Sequence, residues 1–141
     1  MKHSQVFRAI VVDDDSVFRL VSSKHLDKHA HFQASGTFKD GRDVLDWLQA
    51  QSARGSYDSM PHLMLLDINM PRLDGWGVME AFNEEACSLS IKVVIITSSI
   101  DPQDYERSKR YQSVIDYMTK PLNKDKLDRI ADNLIATKND A

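Results

Sequence analysis

The sequence predicts an α/β fold: a doubly wound parallel sheet of five strands, each followed by a helix. Three apolar runs are continuous rather than alternating, which is the habit of strands covered on both faces. Helical periods lie between the runs. Strand and helix alternate along the whole chain, an order that calls for right-handed crossovers and helices on both sides of the sheet.

The first strand is Ala9-Ile10-Val11-Val12, and after it Val17, Leu20 and Val21 share a helical face. His31-Phe32-Gln33-Ala34-Ser35 is the poorest strand candidate. Asp40-Gly41 then marks a turn before a helix whose face carries Val44, Trp47 and Leu48. A polar surface loop, 51–61, leads into the strand Leu63-Met64-Leu65-Leu66, and Asp74-Gly75 opens the next helix. Val93-Val94-Ile95-Ile96 is the fourth strand. Asp101-Pro102 reads as a helix N-cap with Pro at the first helical position. The last strand is Val114-Ile115-Asp116-Tyr117-Met118, and the last helix buries Leu127, Ile130, Ala131, Leu134 and Ile135.

A chain of 141 residues fits one domain, 1–141 with a core at about 8–135, and folding at this size buries roughly two-thirds of the unfolded surface. The 42% hydrophobic and 28% charged shares exclude a disordered chain. A net charge of −3 argues against nucleic acid as a direct partner. The single Cys, Cys87, excludes an intramolecular disulfide framework and fits a reducing compartment. No apolar run approaches the roughly 18 residues of a membrane span, and the start lacks the apolar core of a signal peptide. A cytoplasmic, stand-alone protein is expected.

In an open α/β sheet, ligands bind outside the carboxyl ends of the strands. The first run ends in Asp13-Asp14-Asp15, the third strand in Asp67, the fourth in Thr97-Ser98-Ser99 and the fifth in Lys120-Pro121. Each alone has an ordinary explanation as a cap, an Asx-turn or a solvated end. Their coincidence at four strand ends favours a site. Asp13, Asp14 and Asp67 would repel one another if ionised together, so the cluster calls for a cation. Oxygen ligands without paired His or Cys suit Mg²⁺, or Mn²⁺, rather than Zn²⁺. Thr97 and Lys120 complement phosphoryl oxygens as a hydrogen-bond donor and a point charge. The chemistry that fits is transfer of a phosphoryl group to a carboxylate.

These segments resemble the receiver domain of bacterial two-component response regulators over roughly Arg8 to Ile135. Val11-Val12-Asp13-Asp14 resembles the acidic pair, and Leu65-Leu66-Asp67-Ile68-Asn69-Met70-Pro71 with Asp74-Gly75 the phosphoacceptor segment. Ile95-Ile96-Thr97 resembles the switch segment, and Tyr117-Met118-Thr119-Lys120-Pro121 the aromatic-x-x-Lys-Pro ending. The resemblance implies a flavodoxin-like sheet of order 2-1-3-4-5. It implies Asp67 as phosphoacceptor, with Mg²⁺ held by Asp13, Asp14, Asp67 and the Asn69 backbone carbonyl. Lys120 would pair with Asp67 and then with the phosphoryl group, after a cis Lys120-Pro121 bond. Thr97 would donate to a phosphoryl oxygen while Tyr117 rotates inward, and Asn69 and Ser99 would tune the lifetime of the phosphorylated state. The implied donor is a histidine kinase or phosphotransfer domain. The implied output is a downstream protein on the surface of the fourth helix, fifth strand and fifth helix.

The rival reading is a haloacid-dehalogenase-like phosphatase with Asp13 as nucleophile, Asp15 as acid–base group, and Thr97 and Lys120 as its later motifs. It lacks a final acidic motif on a further strand and leaves 67–71 unexplained. A nucleotide or flavin binder lacks its glycine signature. A receiver that has lost phosphorylation would not keep the complete acid, Thr and Lys set. Asp15 reads better as an N-cap, Trp76 as a reporter of the site or a surface aromatic, and the five His as scattered residues.

Overall fold

The apolar runs become strands because their alternate side chains can be buried on opposite faces of one sheet. The computed structural model describes residues 5–55, 57–82 and 90–139; His3 and Cys87 lie outside them. The elements are β1 (Phe7–Val12), α1 (Ser16–Lys28), β2 (Phe32–Phe38), α2 (Gly41–Ala53), β3 (Leu63–Leu66), α3 (Gly75–Phe82), β4 (Lys92–Thr97), α4 (Pro102–Ser108), β5 (Val114–Thr119) and α5 (Lys124–Asn139). One turn of 3₁₀ helix, Tyr57–Ser59, sits within the stretch expected to be plain loop, and α2 runs three residues into that stretch, to Ala53.

The sheet is parallel throughout, in the order β2-β1-β3-β4-β5. Ile10, Val12, Met64, Leu66, Val93 and Ile95 face one side, where α2 and α3 cover them with Val44, Leu45, Leu48, Val78, Met79 and Phe82. Ala9, Val11, Leu63, Leu65, Val94 and Ile96 face the other, under Leu26 of α1 and Leu127, Ile130 and Leu134 of α5. Full burial of each such Leu or Ile contributes roughly 1.5–3 kcal/mol before the entropy of ordering is subtracted. The edge strands β2 and β5 are half-buried, which is why their sequences carry polar residues.

Helix α1 differs from the expectation. Val17, Leu20 and Val21 do share a face, but it is turned to solvent, at 66%, 58% and 45% exposure. The face on the sheet carries Ser22 and Leu26, with Phe18 half-buried beside them. Both stripes have helical spacing, and spacing alone does not say which turns inward.

Strand order reverses between β1 and β3, each of which runs to a different side of the sheet for its next neighbour. Diverging crossovers leave a crevice beyond the carboxyl ends of such a pair. Asp13 and Asp67 are the first residues past those two ends.

Candidate functional site

Backbone pairing fixes the two strand-end acids. The Asp13 amide donates to the Phe38 carbonyl at 3.0 Å, and the Asp67 amide to the Val12 carbonyl at 3.0 Å. Both carboxylates are buried, whereas Asp14, one residue on, is exposed. One carboxylate oxygen from each of Asp13, Asp14 and Asp67 lies within 4.8 Å of the others. This is the one such grouping of three potential metal ligands among the described residues.

Lys120 closes the site from β5. Its Nζ lies 2.8 Å from Asp13 Oδ2 and 3.3 Å from Asp67 Oδ2. Its amide donates to the Thr97 carbonyl at 2.9 Å, and the Lys120-Pro121 bond is cis, as the resemblance implied. The ammonium also lies 4.5 Å from the centre of the Phe18 ring, a cation–π contact that restricts where the head can go. Burial pulls the Lys120 pKa down, but the hydrogen bond to Asp13 and the charges of Asp67 and Asp13 outweigh it and leave it above its ordinary value. Burial pushes the Asp13 carboxyl above its ordinary value despite the Lys120 hydrogen bond.

Asp15 caps α1: its Oδ1 accepts from the amides of Val17 at 2.9 Å and Phe18 at 3.2 Å. It takes no part in the three-acid cluster. The acid–base duty that a phosphatase would ask of it is therefore not where its carboxylate points.

The segment after Asp67 is shaped by a turn and a glycine. Leu73 N–H donates to the Pro71 carbonyl at 2.7 Å across Arg72, whose φ is 65°. Its guanidinium grips Asp40, the N-cap of α2, with Nε 2.9 Å from Oδ2. Gly75 starts α3 against the strand end, where a Cβ would lie 2.5 Å from the Asp67 carbonyl oxygen. Any other residue would push α3 off the acid. The Asn69 amide reaches Asp67 Oδ1 at 3.4 Å, and Asn69 lines an open cavity of about 290 Å³ with Asp14, Ile68, Met70, Pro71 and Asp74.

The donor set fits a hard divalent ion. Three carboxylates against one ammonium leave two negative charges in one crevice, and every ligand atom offered is an oxygen.

Thr97 is fully buried at the end of β4, and its Oγ1 accepts from the Ser99 amide at 3.2 Å. The Ser99 hydroxyl is engaged by two acidic residues at the start of α4. It donates to Asp104 Oδ2 at 2.6 Å and accepts from the Asp101 amide at 3.2 Å. Tyr117 stands half-buried against Tyr105, ring centres 5.5 Å apart, with its hydroxyl buried and without a hydrogen bond. Burial pushes that phenol above its ordinary pKa.

Trp76 is not a surface aromatic. It is 7% exposed, stacked on Tyr111 at 6.0 Å with Arg107 over its ring at 4.8 Å. Among the described histidines, His25, His29 and His31 line one cavity of about 540 Å³ between α1 and α5, whereas His62 stands apart against Phe7. The His29 imidazole is fully occupied there, accepting the His31 amide at Nδ1 and meeting Asp128 at Nε2. Sequence reasoning also passed over Phe18, Arg72 and Asp104. Phe18 has a faint signal in its position just inside the first helix after the acids; Asp104 has none.

Residues 9–132 match the family described as the response regulator receiver domain. An uncharacterized response regulatory protein of Staphylococcus epidermidis is 28% identical over 131 residues, which cover 92% of this chain and 47% of that protein. The chain thus spans about half the length of that relative. The crystal structure of a two-component response regulator from Cytophaga hutchinsonii superposes with a TM-score of 0.83 at 21% identity, over 94% of this chain and 98% of that one. That of the phosphorylated cyanobacterial phytochrome response regulator RcpA gives 0.70 at 26% identity, over 92% and 91%.

Proposed function

Because the chain belongs to the response regulator receiver domain family, we propose that it accepts a phosphoryl group on Asp67 and uses it to change what its surface binds. Receiver domains serve two-component signalling and are not enzymes that turn over a free substrate. The observation that carries the reading is the buried Asp67 carboxylate, grouped with Asp13 and Asp14 and 3.3 Å from the Lys120 ammonium.

The donor is a phosphohistidine of a histidine kinase or phosphotransfer domain. An Asp67 oxygen attacks phosphorus, the P–N bond breaks as the P–O bond forms, and the imidazole leaves with a proton. Asp13, Asp14, Asp67 and the Asn69 carbonyl would hold Mg²⁺ or Mn²⁺. The ion would offset charge on the attacking carboxylate and the phosphoryl oxygens. Lys120 exchanges its Asp67 contact for the incoming oxygens, kept in place by Asp13 and the Phe18 ring.

The phosphoryl group adds about −1.5 to −2 charges, which only a few donors can reach. Thr97 is one, since its hydroxyl proton is free for an oxygen placed beyond β4. That contact exists in one state alone, which is what a population shift requires. Movement of Thr97 reaches Tyr117 and, through it, the surface of α4, β5 and α5, where a downstream protein binds. The exposed Val17, Leu20 and Val21 stripe flanks the acids and supplies an apolar landing for the donor protein.

The test is labelling with acetyl phosphate, a small phosphodonor, in the presence of Mg²⁺. Wild type acquires a base-labile label that chelation prevents and Asp67→Asn abolishes. An equal label on Asp67→Asn would refute the assignment.

A further inference from the structure

Ser99 has one hydroxyl proton, and Asp104 holds it at 2.6 Å. The second Asp104 oxygen accepts from Trp76 Nε1 on α3 at 3.4 Å. On the other side, the Ser99 amide is bound to Thr97 Oγ1 at 3.2 Å. A continuous line of hydrogen bonds therefore joins the residue at the end of β4 to the first turn of α4 and to a buried indole on α3. Beside this line the buried Tyr117 hydroxyl makes no hydrogen bond of its own.

We infer that Asp104 is a positioning residue that holds Ser99, and through it the Thr97 hydroxyl, in the resting arrangement. The inference rests on the phosphoacceptor reading and adds the residue that opposes the switch. For Thr97 to follow a phosphoryl oxygen, its Oγ1 must leave the Ser99 amide. While Asp104 anchors Ser99 from α4, that amide stays where it is, so the contact favours the resting state alone. A contact present in one state biases the equilibrium by its own free energy, and its removal raises the apparent affinity of whatever selects the other state. Residues that merely support the fold would show the opposite sign or none.

Beryllofluoride, a phosphoryl mimic, is titrated with saturating Mg²⁺ into the full chain and followed by calorimetry. Asp104→Ala and Ser99→Ala each tighten binding by about threefold to tenfold, and the double variant binds no tighter than the better single one. In a Trp47→Phe background, which leaves Trp76 as the remaining tryptophan of two, beryllofluoride changes the indole emission, and Asp104→Ala removes that response. Ser99→Ala deletes only a hydroxyl on a loop, so it decides the matter even if Asp104→Ala folds poorly. Unchanged or weaker binding by Ser99→Ala, with wild type binding normally, overturns the inference and leaves the phosphoacceptor reading standing. Singles whose effects multiply in the double variant overturn the shared line. Absence of binding by wild type overturns the phosphoacceptor reading and this inference with it.

Discussion

Asp40 reads in the sequence as half of a turn signal, yet its buried carboxylate ties two loops of the site together. It caps α2 through the Asp43 amide at 2.9 Å and pairs with the Arg72 guanidinium that steadies the segment after Asp67. Burial alone would raise its pKa, but the Asp43 amide and Arg72 outweigh it and hold the carboxyl below its ordinary value of about 3.9. A carboxyl depressed on folding stabilises the native state fully above that ordinary value, and the contribution disappears as pH falls through the lower folded value. Arg72→Ala removes part of the depression, so its acid-unfolding midpoint, read by circular dichroism, moves to higher pH than that of wild type. An unchanged midpoint would mean that the pair at Asp40 contributes nothing to the fold. Lys120 shows the same logic inside the site, where one ammonium is shared by two acids and keeps its proton because both lie within 3.3 Å.

At the scale of elements, α1 shows how one helix serves two neighbours. Its inward side is sparse, with Ser22 and Leu26 buried and Phe18 reaching under Lys120. Its outward side carries more aliphatic surface than its inward one. Leu26→Ala empties a fully buried position and lowers stability by roughly 2–5 kcal/mol. Leu20→Ala, at a 58% exposed position, changes stability by less than about 0.5 kcal/mol. Urea denaturation of the two variants separates the faces, and equal losses would contradict the orientation of the helix. If the outer stripe receives the donor protein, Leu20→Ala also slows phosphotransfer from that protein while labelling by acetyl phosphate is unaffected. Helix α4 makes a contrast: it is seven residues long, buries Ser108, and is held at its start by the Asp101 cap and Asp104. A short helix secured by polar contacts near its start is suited to moving when those contacts change.

At the scale of the molecule, the sheet does the sorting. Apolar runs without alternation place β1, β3 and β4 in its middle, and that much is legible because a strand buried on both faces has almost no freedom in composition. The ends of those strands then bring Asp13, Asp67 and Thr97 together without any long-range signal in the sequence, since parallel order alone puts all carboxyl ends on one side. Illegible were the contacts that depend on side-chain direction. Which stripe of α1 turns inward, that Trp76 stacks on Tyr111 rather than facing water, and that the Ser99 hydroxyl bonds to Asp104 all depend on packing angles between elements, which periodicity does not encode. His25, His29 and His31 lie close in sequence at the end of α1, and α5 completes their cavity with Lys124 and Asp128, a pairing of helices that local sequence does not encode.

The central claim, that Asp67 alone receives the phosphoryl group, is tested most directly by chemical trapping. Wild type is phosphorylated by acetyl phosphate with Mg²⁺ and then reduced with borohydride, which converts an aspartyl phosphate to homoserine, and the digest is mapped by mass spectrometry. The account predicts homoserine in place of Asp67 and nowhere else, with none formed when Mg²⁺ is chelated. Homoserine in place of Asp13, the nucleophile of a dehalogenase-like phosphatase, or at no position, would contradict it.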